Sequence, residues 1–190
     1  TKSDRVLHDL DLLAELARHN LTHVAISVTS MDPALSRLLE PRAAAPAKRL
    51  AALGKLAAAG VPTHVSIAPV IPAITDHHIE EILGAAAAQG IRSASWIIVR
   101  LPHEVAPLFR EWLQTHFPDR AGKVMATIQA MRAGRDNDPA FFSRFRLDGV
   151  WAQVFRQRFA ITMRRLGFGK PQVALDCSQF RPPSRDGQLA

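Results

Sequence analysis

Apolar positions recur with two different periods along this chain, and the switches between them lay out its elements. Leu7, Leu10, Leu13, Leu16 and Ala17 fall at helical spacing up to Asn20, which predicts an amphipathic helix of about three turns. Val24, Ile26 and Val28 then alternate with small residues, a strand closed by Thr29 and Ser30. Asp32-Pro33 predicts a helix start, with the carboxylate as N-cap and proline at the first helical position. That short helix ends before Pro41, because a proline disfavours helical geometry in the residue preceding it. A longer helix runs from about Pro46 to Ala59 with Leu50, Leu53 and Leu56 on one stripe, and Gly60 closes it.

The cycle repeats twice. A strand from Thr63 to Ala68 ends in Pro69-Val-Ile-Pro72, and Thr75 or Asp76 caps a helix carrying Ile79, Ile82 and Leu83 up to Gly90. A third strand, Ser95 to Val99, is apolar almost throughout, as expected where helices cover both faces or a barrel closes. Arg100-Leu-Pro-His-Glu104 follows, and Leu108, Phe109, Trp112 and Leu113 mark the next helix. Strands at regular intervals, each followed by a helix, predict an α/β fold with parallel strands over residues 1–118. From 119 to 190 the pattern is helical, with a helix near Arg120 to Arg132, a polar loop through Gly134 to Pro139 and a strong helix from about Val150 to Leu166. In that last helix Trp151, Phe155, Phe159 and Met163 are spaced by four, a core or docking stripe. The tail from Val173 to Pro183 reads as one short extended segment, and the final residues as disordered.

Charge separates the two parts. Between Arg120 and Lys170 eleven Lys or Arg face three acids, Asp136, Asp138 and Asp148, for +8, whereas the remaining thirteen bases and fourteen acids sum to −1. The block could attract a nucleic acid through its phosphates or form a solvated helical surface. At 190 residues and 47% apolar the chain can build a core. Its single cysteine excludes an internal disulfide framework and fits a reducing, cytoplasmic setting. No apolar run approaches the roughly 18 residues of a membrane span, so no membrane association is expected.

Common catalytic signatures are absent: there is no G-x-G-x-x-G, P-loop, H-E-x-x-H or G-x-S-x-G. His77 and His78 diverge by about a third of a turn on a helix, which suits surface or capping roles better than joint metal ligation. Cys177 reads as a small structural hydrophobe. What remains is polar residues at strand ends, where parallel barrels build their sites: Ser27, Thr29 and Ser30 on the first strand, Glu40 and Arg42 beyond it, Pro69 to Pro72 after the second, and Arg100 and His103 after the third as substrate-side candidates. Each has a structural alternative, such as capping, backbone satisfaction or an Arg100–Glu104 pair.

The ordered set Thr1-Lys-Ser-Asp4, His23-Val-Ala-Ile-Ser-Val-Thr-Ser30, Leu39-Glu-Pro-Arg-Ala43, Ala68-Pro-Val-Ile-Pro72 with Thr75-Asp-His77, Arg100-Leu-Pro-His-Glu104 and Leu175-Asp-Cys-Ser-Gln-Phe-Arg-Pro-Pro183 resembles the C-terminal half of radical S-adenosylmethionine (SAM) proteins of the spore photoproduct lyase-like group. The resemblance implies the later βα units of a partial (β/α)6, TIM-like barrel over 1–118, with Thr1-Lys2 ending the third strand, and a basic helical extension and tail over 119–190. It implies SAM as cofactor, with Lys2 and Arg42 toward the methionyl carboxylate, Ser27 or Thr29 toward the ribose, and Pro69, Val70 and Ile71 near the adenine. It also implies a [4Fe-4S] cluster on three cysteines, which one cysteine cannot supply, so the chain reads as a fragment lacking the N-terminal, cluster-binding half of its barrel and inactive alone. The substrate is unassigned, with nucleic acid the first candidate. The rival expectation is a non-catalytic basic module that docks a nucleic acid or protein partner, and exposed strand edges would favour self-association.

Overall fold

The computed structural model describes residues 1–169 and 174–181. A 3-10 helix, Asp4–Asp9, leads into α1 (Leu10–Arg18), so the first predicted helix is divided. Ser3 caps that opening turn by accepting from the Arg5 amide, and Asn20 closes α1's exit with a positive φ of 56°. The strands are β1 (Val24–Ser27), β2 (Thr63–Val70) and β3 (Ala94–Ile98), in the order β1-β2-β3 and parallel throughout. Between them lie α2 (Pro33–Leu39), α3 (Pro46–Ala58) and α4 (Ile79–Ala88), and after them α5 (Val105–His116), α6 (Pro118–Ala130) and α7 (Gly149–Arg165). This is the α/β class expected, with a parallel sheet of the kind a partial barrel uses.

Local chemistry accounts for most boundaries. Asp32 caps α2 through bonds from the Ala34 and Leu35 amides at 2.8 and 3.3 Å, with Pro33 at the first helical position. Gly60 and Gly90 take φ of 82° and 83°, the left-handed turn that glycine enters without a Cβ penalty. The start of α4 differs from expectation: Thr75 Oγ1 accepts from the Ile71 amide at 2.8 Å and caps nothing, and a 3-10 turn, Asp76–His78, precedes the helix. β2 also runs past Ala68, through a cis Ala68–Pro69 bond, to Val70.

One face of the sheet is packed and the other is open. Val24 and Ile26 of β1 and Val65 and Ile67 of β2 point into the core with Leu53 and Leu56 of α3 and Ile82 and Leu83 of α4, all buried. Each such side chain contributes about 1.5–3 kcal/mol of hydrophobic stabilisation. Trp96 of β3 is covered by α7, with ring centres 6.1 Å from Phe155 and 6.3 Å from Phe159, so Phe155, Phe159 and Met163 of the aromatic stripe serve the core, whereas Trp151 at its start is 44% exposed. Arg158 on the same helix bonds Glu80 through Nε and Nη2, each at 2.8 Å, and clamps α7 to α4. The opposite face carries Ala25, Ser27, His64, Ser66 and Ser95 and is only half-buried. Among the described residues helices therefore cover β3 on one face only, which excludes the first of the two expected arrangements, helices on both faces, and Ile97 on the other face is 37% exposed. Residues 174–181 form a turn tied to Asn20 by the Asp176 amide, without a strand; Val173, Pro182 and Pro183 lie outside the described residues. Cys177 in that turn is exposed rather than packed, because its segment lies over no core. No helix among the described residues is long and apolar enough to cross a membrane.

Candidate functional site

The C-terminal ends of β1 and β2 converge on one carboxylate, Glu40, delivered by the turn that ends α2. Lys2 Nζ bonds Glu40 Oε1 and also the Ala68 carbonyl at 3.1 Å. Thr29 Oγ1 donates to the same Oε1 at 2.9 Å. Arg49 Nη1 lies 2.7 Å from Glu40 Oε2, an ion pair by distance though off the line of a hydrogen bond. Arg49 is wholly buried, its Nη1 bonding the Ser27 carbonyl at 3.0 Å and its Nε the Ala44 carbonyl at 2.5 Å. Two cations meeting one carboxylate leave a net charge of +1 at the strand ends. Burial would push the Glu40 carboxyl up, but the bond from Lys2 and the close Arg49 guanidinium, with their two positive charges, outweigh it and hold the group below its usual value.

Lys2 reaches the site because Thr1 lies alongside β1 as a further parallel partner. The Thr1 amino group donates to the Ala25 carbonyl and the Ser27 amide to the Thr1 carbonyl, both at 2.9 Å, the alternating pattern of a parallel ladder. Ser27 then pairs in register with Ser66 of β2, and Ser66 with Ser95 of β3, so a row of hydroxyls crosses the open face. His64, one row below, is held between the Ser93 and Ser95 hydroxyls at 2.8 and 2.7 Å. Burial, with the neighbouring His23, pushes its imidazole down and keeps it neutral.

The expected site residues therefore divide. Lys2, Ser27 and Thr29 come together with Glu40, while Ser30 is a turn residue whose hydroxyl accepts from the Asp32 amide at 3.0 Å. Arg42 is exposed in the turn after Pro41 and forms no ion pair among the described residues; the guanidinium buried at the strand ends is that of Arg49. Val70 is fully buried and its carbonyl accepts from the Val99 amide, which leaves half-buried Ala68 and Pro69 as the β2 residues facing the open side. Arg100 packs over the Phe145 ring, 5.3 Å from its centre, in place of pairing with Glu104, and His103 is exposed in the turn before α5 with a φ of 43°. Arg49 and His64 are additions that periodicity could have flagged for Arg49 alone, since positions 49, 53 and 56 form one helical stripe.

A metal centre is a different matter. Among the described residues no group of three or more His, Cys, Asp or Glu side chains could hold a metal ion, and the chain's single cysteine is exposed on the tail. A [4Fe-4S] cluster needs three thiolates and does not fit this chain by itself.

Residues 2–86 match the family model of the Radical SAM superfamily. Uncharacterized proteins of two strains of Mycobacterium tuberculosis and of Mycobacterium bovis are each 35% identical over 121 residues, which is 63% of this chain and 36% of the relative. The chain thus spans little more than a third of the curated relatives it matches. No solved structure matches it.

Proposed function

We propose that this chain is the SAM-holding part of a radical SAM enzyme, with the Glu40 cluster positioning the cofactor. The observation that carries this reading is the +1 charge balance of Lys2, Arg49 and Glu40 at the C-terminal ends of parallel strands, inside the segment that matches the family model. A methionyl carboxylate would neutralise that charge, with Lys2, 38% exposed, as its point-charge partner and Arg42, exposed in the turn after Pro41, as a second cation with bidentate geometry. Ser27, half-buried on the open face, offers a hydroxyl to a ribose, while Thr29, 1% exposed, is committed to Glu40; Ala68 and Pro69 offer an apolar edge to an adenine. The reduced cluster that such enzymes use to cleave SAM would be held by residues beyond these 190.

The finer assignment, to the spore photoproduct lyase-like group, rests on the ordered motif set alone. The test is anaerobic reconstitution of the full-length protein with iron and sulfide, reduction with dithionite and assay for 5′-deoxyadenosine from SAM. Its formation supports the proposal, and iron-loaded protein that leaves SAM intact overturns it. A second reading, a module docking nucleic acid, is favoured by the exposed cations Lys123, Arg135, Arg146, Arg164 and Arg165. Against it, Arg158 is paired with Glu80 and Asp76 and Arg132 is buried, so the +8 block is partly consumed inside the fold. Binding to single-stranded DNA that falls steeply with salt supports this second reading, and absence of binding at low salt removes it.

A further inference from the structure

A cavity of about 510 Å³ opens along the outer edge of β3, on the other side of β2 from the Glu40 cluster. Its size falls within the roughly 300–1,000 Å³ range of small-molecule pockets. Arg100, Arg132, Arg144, Arg146 and Arg156 border it against a single lining carboxylate, Asp148, five positive charges to one negative. These cations are not satisfied by one another's surroundings. Arg132, only 5% exposed, donates from Nη2 to the Val99 carbonyl at 2.9 Å, and Arg156 donates to the Leu147 carbonyl; such acceptors receive a hydrogen bond but neutralise no charge. Arg100 and Arg144 flank the Phe145 ring at 5.3 and 5.0 Å from its centre. The Nε atoms of Arg100, Arg132 and Arg144 are all buried without a hydrogen-bond partner among the described residues. Burial and the neighbouring Arg100 push Arg132 down, and the Asp138 carboxylate opposes them without outweighing them. Arg132 is buried, Arg100 and Arg144 are half-buried, and Arg146 and Arg156 are exposed at the rim, so the cost of an uncompensated charge falls on Arg132 and its two half-buried neighbours unless an anion completes the site.

We propose that this cavity binds a small organic phosphate, its phosphoryl group held by Arg100, Arg132 and Arg144 and its carbon part packed on Ile97, Phe145 and Leu147. A phosphate dianion offers three acceptor oxygens to three guanidinium groups, which a single carboxylate cannot do. The arginines converge on one concavity with an apolar wall instead of tracking along a surface, so the ligand is a small molecule and not a nucleic-acid strand. The site is separate from the SAM-holding cluster and stands whether or not that assignment does.

The test is calorimetry on the full-length protein with phenyl phosphate, phenol, benzoate and inorganic phosphate. Phenyl phosphate should bind about tenfold or more tighter than each of the others, since each lacks either the dianion or the ring and a decade is about 1.4 kcal/mol. Saturating SAM should leave that affinity unchanged. Arg144→Gln and, separately, Arg100→Gln should each weaken it about tenfold or more, the effect of one lost charge-assisted bond, with unaltered circular dichroism. No heat from phenyl phosphate at millimolar concentration overturns the proposal, as does equal affinity for phenol. A single-stranded oligonucleotide that binds more tightly and loses affinity in Arg144→Gln also overturns it, in favour of a nucleic-acid surface.

Discussion

Replacing Glu40 with Gln removes the one negative charge between Lys2 and Arg49 while preserving shape and the acceptor for Thr29. Arg49 is 0% exposed and Glu40 11%, so the loss leaves a guanidinium buried without a counter-charge. Breaking a buried pair by removing one partner costs about 3–5 kcal/mol. The Lys2 side chain, 38% exposed, adds little because solvent screens it. The expected loss is therefore about 3 kcal/mol at neutral pH, the low end of that buried-pair range, read from urea unfolding of both proteins. The pH dependence has a definite sign. Glu40's folded pKa lies below its ordinary value of 4.5, so its contribution is complete above that value and disappears as pH falls through the lower, folded one. The two proteins should converge in acid. A difference under about 0.5 kcal/mol at pH 7, the size of a neutral surface change, or one that stays constant down to pH 3, would refute the cluster's electrostatic role.

Other positions give independent checks. Phe155→Ala should cost about 3–5 kcal/mol through the cavity it leaves, and the Trp96 fluorescence it uncovers should shift to the red. Arg158→Ala should cost about 1 kcal/mol, since the Glu80 bonds it loses lie in a clamp about a third exposed, and should loosen α7 in hydrogen exchange. His64 is held neutral, so protonation opposes folding: stability should decline as pH falls through about 6.5, the unfolded histidine value, and His64→Asn should flatten that slope in thermal melts. Arg42→Ala in the full-length protein should weaken SAM binding by about 1.5–3 kcal/mol, and unchanged affinity would remove Arg42 from the site.

The βα rhythm was legible because the apolar period changes from two to about four at each junction, with Asp32-Pro33, Gly60 and Gly90 as punctuation. Thr29 and Ser27 could be placed at a strand end for the same reason. Arg49 was missed because a guanidinium on an apolar stripe is usually taken as a break in it; what buries it here is Glu40, eleven positions past Thr29 and set by a turn that periodicity does not describe. The serine row across β1, β2 and β3 depends on inter-strand register, and register is a property of the pairing, not of any one strand. The arginine cavity was visible in sequence only as excess charge. Its members lie from residue 100 to residue 156, and only the return of the 144–148 segment to the edge of β3 brings them together.

The central claim is that the Glu40 cluster holds SAM through Lys2. Calorimetric titration of the full-length protein with SAM, comparing wild type with Lys2→Met under matched folding by circular dichroism, tests it most directly. A loss of about 1.5–3 kcal/mol in binding is the predicted result. Lys2→Met protein that remains folded and binds SAM as tightly as wild type would contradict the account.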